Sequence, residues 1–192
     1  MVAALLAAAV MSTTAPAPAA ARPAGAPSPS RLLSLPRLRS IPRLMSSGHR
    51  VPLVGTFQWP LGDERFGTAR AGHVHEGVDL LAASGTPVVA ARGGVVTQVD
   101  YQSGAGYYVV VDGARERYQY VYMHLREGST RVRTGDRIAT GERIADVGAT
   151  GDAGTTHLHF EVWAGPWKTG GRPIDPLPLV RRWMKAAKRG AT

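Results

Sequence analysis

The sequence contains no cysteine. Neither a disulfide framework nor a thiolate metal site is therefore available, and any metal centre must be assembled from imidazole, carboxylate and water. Acidic residues are missing from both ends of the chain. Residues 1–50 hold six arginines and no Asp or Glu, and residues 179–192 hold five basic residues and no acid. Residues 51–178 carry 12 Lys and Arg against all 14 Asp and Glu, a balance of −2, so the overall charge of +9 belongs to the flanks. A folded reader of nucleic acid needs its cations on the domain that grips phosphate, so specific nucleic-acid binding is not expected. Basic ends can still make loose contact with anionic wall polymers or a membrane surface. The apolar, alanine-rich run from Val2 to Met11 is too short to span a bilayer.

That run has the length of a signal-peptide core and is followed by small-residue sites such as Ala19-Ala20-Ala21, which marks residues 1–21 as a signal peptide and the chain as exported. No Lys or Arg precedes it, which leaves an alanine- and proline-rich leader as the other reading. From Ala15 to Ser30 the chain is too poor in large apolar side chains to pack a core, and the linker over residues 22–50 contains a short repeat, Ser34-Leu-Pro-Arg-Leu then Ser40-Ile-Pro-Arg-Leu. Prolines at that spacing exclude a regular helix, so the segment reads as a disordered spacer, a docking arm or a propeptide. His49 falls at its end and is expected to be solvated.

From residue 51 the texture changes to short β-branched runs separated by some of the 23 glycines. Thr86-Pro-Val-Val-Ala-Ala, Gly94-Val-Val-Thr-Gln-Val, Tyr107-Tyr-Val-Val-Val, Arg117-Tyr-Gln-Tyr-Val-Tyr-Met and His157-Leu-His-Phe-Glu-Val-Trp read as strands. The fold class is all-β, a compact antiparallel sheet or sandwich over residues 51–178. An echo, Gly135-Asp-Arg-Ile then Gly141-Glu-Arg-Ile, predicts a turn before each isoleucine in a β-meander. Residues 179–192 intersperse Leu179, Val180, Trp183 and Met184 with Arg181, Arg182, Lys185, Lys188 and Arg189, as in a short basic amphipathic helix packed on the domain.

Five of the six histidines fall in three clusters within the β region: His73 and His75, His124, and His157 with His159. Side chains two apart in a strand share a face, so His157 and His159 project together. His75 and Asp79, four apart, do the same in extended chain, where Gly77 and Val78 disfavour helix. By the same alternation His124 shares a face with Tyr122, Tyr120 and Tyr118. If the strands are neighbours, these polar faces converge. Two neutral imidazoles and one carboxylate with an open fourth position make a catalytic zinc site, and the remaining histidines suit proton transfer and oxyanion stabilisation. The helical His-Glu-x-x-His motif is absent.

These motifs resemble the lysostaphin-type (LytM-like) zinc endopeptidases: His75-x-x-x-Asp79, Tyr122-Met-His124-Leu, and Gly148-Ala-Thr-Gly151 leading to His157-Leu-His159-Phe-Glu. The likeness runs from about Phe66 to Pro176 and includes Phe66-Gly-x-x-Arg70, Gly85-Thr-Pro-Val-x-Ala and Asp175-Pro176. The resemblance implies zinc (Zn2+) held by His75, Asp79 and His159, with His124 and His157 as the catalytic pair. It also implies peptidoglycan stem peptides or cross-bridges as substrate, action outside the cytoplasm in association with the cell wall, and a monomer. Water is expected to attack the scissile carbonyl while His157, His124 or both handle the proton and the negative charge. Thr155-Thr156 departs from the glycine and proline the family often places there, which bears on loop shape. A shallow groove lined by Tyr122 and glycine-rich loops would suit such substrates.

Other readings are weaker. A catalytically silent wall-binding or amidase-activating module of the same fold usually lacks a ligand, and here every position is filled. A biotinyl or lipoyl carrier would need an exposed lysine on its hairpin. His73 reads as a surface neighbour of the site, and Trp59, Trp163 and Trp167 as core or rim packing. Gly148–Gly151 is not a phosphate loop, having neither a Lys-Ser/Thr pair nor a following helix.

Overall fold

The computed structural model describes residues 48–189. The expected signal peptide and nearly all of the 22–50 spacer lie outside the described residues, as do residues 190–192. In chain order the strands are β1 (Ala69–Arg70), β2 (His73–Val74), β3 (Val78–Leu81), β4 (Pro87–Val89), β5 (Gly94–Gln102), β6 (Gly106–Gly113), β7 (Tyr118–Leu125), β8 (Arg137–Ile138), β9 (Arg143–Asp146), β10 (His157–Ala164) and β11 (Arg172–Ile174). A single α-helix among the described residues, α1 (Leu177–Arg189), follows them.

Seven strands form one antiparallel sheet in the order β11-β10-β7-β6-β5-β8, with β3 pairing the N-terminal half of β10 on the side where β11 pairs its C-terminal end. The all-β expectation therefore holds, with the five long apolar runs supplying β4, β5, β6, β7 and β10. The meander expectation fails in one respect. Turns do precede Ile138 and Ile144, where Asp136 and Glu142 accept hydrogen bonds from the backbone N–H of Arg133 and Ala139. The two short strands then part: β8 extends the large sheet through β5, whereas β9 pairs β4 in a separate two-stranded ladder.

Strand alternation divides the sheet into two faces. Leu158, Phe160 and Val162 of β10, Tyr120 and Tyr122 of β7, and Val109 and Val111 of β6 enter one core, closed by Val88, Ile144 and Ala145 of the β4–β9 ladder. Val180 and Trp183 of α1 complete it, and the Trp183 ring meets those of Phe160 and Tyr120 edge-on at 6.4 Å. The boundary drawn at residue 178 thus cuts through α1, whose apolar side is integral to the core. The opposite face carries a smaller cluster of Tyr108, Val110, Val121, Met123, Trp163 and Trp167, and beside it the histidines.

His49 is half-buried rather than fully solvated. Its ring stacks on Trp183 at 5.0 Å with the planes 4° apart, and its Nε2 lies 3.1 Å from Glu116 Oε2 and 2.9 Å from the Tyr120 hydroxyl. The Tyr120 hydroxyl itself donates to Glu116. Glu116 already satisfies this buried hydroxyl, so His49 is a second polar partner, and with its stack on Trp183 the contact holds the end of the spacer on the domain.

Candidate active site

Asp79 sits opposite His159 in the β3–β10 ladder, and His157 lies two residues earlier on β10, so one face presents all three. His75 reaches them from the turn before β3. A Cβ at Gly77, between His75 and Asp79, would lie 2.8 Å from the His159 ring and 2.6 Å from the Phe160 carbonyl, so the close approach of this turn to β10 requires glycine. All five predicted site residues are brought together and buried, lining a cleft of about 400 Å³.

His124 arrives by a route that alternation did not foresee. Tyr107 pairs Leu125 while Val109 pairs Tyr122, so β7 carries one extra residue opposite β6. At this bulge His124 adopts φ +58°, a left-handed conformation that costs a non-glycine residue on the order of 1–3 kcal/mol. The consequence is that His124 turns to the face of His157 and His159, with ring centroids 4.7 and 5.8 Å away, while Tyr122 stays in the core. Tyr122 is fully buried, its hydroxyl accepting from the Ala91 N–H, so it does not line the groove as the sequence suggested.

Each of the four imidazoles has one nitrogen committed to an acceptor. His75 Nδ1 lies 2.8 Å from the Arg65 carbonyl, His124 Nδ1 2.8 Å from that of Thr150, and His157 Nδ1 2.9 Å from that of Thr155. His159 Nε2 lies 3.0 Å from Glu161 Oε1. A nitrogen facing an acceptor carries the proton, which leaves the other nitrogen of each neutral ring with a bare lone pair. The Gly148–Gly151 turn thereby gains a role, since its Thr150 orients His124. A Cβ on Gly151, at φ +72°, would lie 2.2 Å from the Gly106 nitrogen, so the turn closes only with glycine there. The Thr155-Thr156 departure is harmless to His157, because the contact uses a backbone carbonyl that any residue type supplies.

His75 Nε2, His159 Nδ1 and Asp79 Oδ1 stand 2.9–3.0 Å from one another. In the tautomers just assigned, three lone pairs meet with no proton between them, an arrangement that repels itself unless a cation occupies the centre. Donors sharing one ion through bonds of about 2.0–2.1 Å must lie within about 4.2 Å of each other, and these do. Asp79 is further held by Arg70, whose Nη2 donates to Oδ2 at 2.7 Å and to the Asp63 carbonyl at 2.6 Å, so Oδ1 is left for the cation. Two imidazoles and a carboxylate, with the cleft open on the remaining side, fit a divalent ion of zinc's kind.

The electrostatics agree with that fit. Burial opposes ionisation of Asp79, yet the His159 and His75 rings facing Oδ1, protonated on that side when no cation is shared, hold its carboxyl well below the usual range. Burial likewise disfavours the His159 cation, but Asp79 and Glu161 outweigh it and push this ring up to about 9 in the metal-free protein. His124 behaves oppositely: burial first, then His157 and His159, push it down to about 4. Burial also lowers His157.

Comparison with known proteins decides the family. A model of peptidase family M23 matches residues 73–176, more than half of the 192-residue chain. The chain belongs to peptidase family M23. It is 44% identical over 120 residues to an uncharacterised metalloprotease from Haemophilus influenzae, covering 60% of this chain and 24% of that one. It is 37% identical over 114 residues to the peptidoglycan DD-endopeptidase ShyC of Vibrio cholerae, covering 59% and 25%. This M23 chain thus spans about a quarter of the length of these curated relatives. Among solved structures, the catalytic domain of the antimicrobial peptidase lysostaphin from Staphylococcus simulans superposes with a TM-score of 0.58 at 26% identity, covering 65% of this chain and 92% of that domain.

Glu161 is the residue that sequence reasoning missed. Its carboxylate is 3% exposed, faces His159 through Oε1, and accepts from the indoles of Trp163 and Trp167 through Oε2 at 2.7 and 2.9 Å. The signal was present in His157-x-His159-x-Glu161-x-Trp163, four side chains on one face of one strand. His73 is exposed at the cleft edge, as expected of a neighbour.

Proposed function

We propose that this M23 chain is a zinc metalloendopeptidase that hydrolyses peptide bonds in peptidoglycan stem peptides or cross-bridges, acting outside the cytoplasm as a monomer. The observation that carries the reading is the meeting of three lone-pair donors, from His75, Asp79 and His159, beside the two neutral imidazoles of His124 and His157. Zinc in that position would supply Lewis-acid polarisation of the scissile carbonyl and would make water nucleophilic near pH 7.

The remaining work falls to the two imidazoles. Both are neutral near pH 7 and present Nε2 as a proton acceptor, because Nδ1–H is tied to Thr150 or Thr155. The ring that takes the proton of the attacking water becomes a cation with an Nε2–H donor. That donor steadies the oxyanion formed at the carbonyl, then passes its proton to the leaving amine as the C–N bond breaks. Rings 4.7 Å apart disfavour double protonation, so the pair moves one proton rather than holding two. Hydrolysis of a cross-linked stem-peptide fragment in H2(18)O tests this directly. One 18O atom in the new carboxyl group and one new free amine are expected, and intact peptide after prolonged incubation with the zinc-loaded chain would remove the reading.

A further inference from the structure

The cations of α1 occupy one side of the helix. At 3.6 residues per turn, Arg181, Arg182, Lys185, Lys188 and Arg189 fall within an arc of about 120°, and all five are exposed. No Asp or Glu occurs in the helix, and its other side buries Val180 and Trp183. From Arg181 to Arg189 the row is about 12 Å long at a rise of about 1.5 Å per residue. Alongside it lies an open hollow of about 460 Å³ that contains none of the five site residues; Leu177 and Pro178 line it together with Arg181, Arg182, Lys185 and one acid, Asp175, whose Oδ1 accepts from the Leu177 N–H. Arg181 is steadied by the Trp59 ring, 5.7 Å from its guanidinium carbon. Trp183 packs against Phe160 on the core face of the sheet, whereas His157, His159 and Glu161 project from the other face, so whatever covers α1 leaves the catalytic cleft open.

We propose that this side of α1 is a docking surface for a linear phosphodiester polymer of the cell wall. The peptidase reading enters only in naming the wall as the source of that polymer. Charge excludes the chain's own candidates: residues 1–50 bring six arginines and no acid, and a second copy related by a twofold axis would set cations against cations. A membrane fits poorly, because the apolar side of this amphipathic helix is spent in the core and has nothing left to insert between lipids. A straight row of cations beside a partly apolar trough suits anions repeated along a flexible strand. Each phosphate neutralised releases counterions and makes the affinity salt-dependent.

The test is fluorescence anisotropy of labelled soluble poly(glycerol phosphate) with the full zinc-loaded chain, a probe that has no peptide bond to cut. Binding is expected, and the triple variant Arg182→Gln, Lys185→Gln, Lys188→Gln should weaken it by at least about tenfold and lower the slope of log affinity against log salt by about two. The charge-matched control Arg37→Gln, Arg39→Gln, Arg43→Gln should weaken it far less. Both variants should cleave stem peptide like the unsubstituted chain. Equal loss in the two variants would show that net charge alone is read and would overturn the proposal. So would no binding of the polymer, or tighter binding to phosphatidylglycerol vesicles than to the polymer. Polymer binding that depends on α1 in a chain that cleaves no peptide would sink the peptidase reading and leave the docking surface standing.

Discussion

The Nε2 of His159 lies 3.0 Å from Oε1 of Glu161, and this contact decides which nitrogen of the ring faces Asp79 and His75. The other three imidazoles are oriented by backbone carbonyls, which carry no charge. His159 alone is oriented by a carboxylate, itself fixed by two indole N–H groups. Partners of this kind set the tautomer and raise the basicity of a ligand, and their loss typically costs 10–100-fold in metal affinity. Glu161→Gln should therefore weaken zinc binding by about that factor, measured by competition with a chromophoric chelator. Unchanged affinity would mean that His159 is oriented by packing alone.

The same pair gives the metal-free protein a pH signature. His159 titrates higher folded than unfolded, so its contribution to stability is fully present below the unfolded value near 6.5 and is lost as pH rises through about 9. The melting temperature of the zinc-stripped chain should fall between pH 6.5 and 9, and zinc should restore most at the upper end of that window. A flat profile for the stripped chain would contradict the hold of Asp79 and Glu161 on a His159 proton.

The proposed catalytic pair, His124 and His157, predicts a separation of binding from turnover. His124→Ala and His157→Ala should each lower kcat by about 10²–10⁴-fold while the zinc content stays near that of the unsubstituted chain. Burial and the neighbouring imidazoles also place the titration of His124 near 4, so the acid limb of kcat/KM should lie below 6.5, the ordinary imidazole value. A limb at 6.5 or above would assign the essential base to a group outside this pair.

Phe160 joins the site to the core. It alternates with His159 and Glu161 on β10, is fully buried, and meets Tyr120, Tyr122 and Trp183. Phe160→Ala should destabilise the domain by about 3–5 kcal/mol in denaturant melts, because the surrounding rings cannot collapse onto the space. A cost under about 1 kcal/mol would show that this layer repacks.

Much of the site could be read from local spacing, because a period of two is dictated by the strand itself. His157 and His159 needed no tertiary information, whereas His75 meets Asp79 from the turn before β3 rather than by strand alternation. His124 needed tertiary information, since alternation set it beside Tyr122 and a single extra residue in β7 moved it to the opposite face. A bulge leaves little trace in one strand's own sequence, being defined by the partner it fails to match. Glu161 was hidden for another reason. Alternation puts it on the face of His157 and His159, but only the fold shows that Trp163 of β10 and Trp167 of the following loop cover its carboxylate and fix it. His49 likewise carried no local signal of burial, because its partners lie on β7, on the loop before it and on α1, between 67 and 134 positions away.

The measurement that bears most directly on the central claim is zinc content together with release of soluble fragments from purified cell walls, for the full chain and for His159→Ala. Near one zinc per chain, fragments bearing new amino and carboxyl termini, and loss of both zinc and release in the variant are the predicted result. A chain fully loaded with zinc that releases nothing from walls of any cross-link chemistry would contradict it, and would make this domain a wall-binding or amidase-activating module that has kept its metal site without turnover.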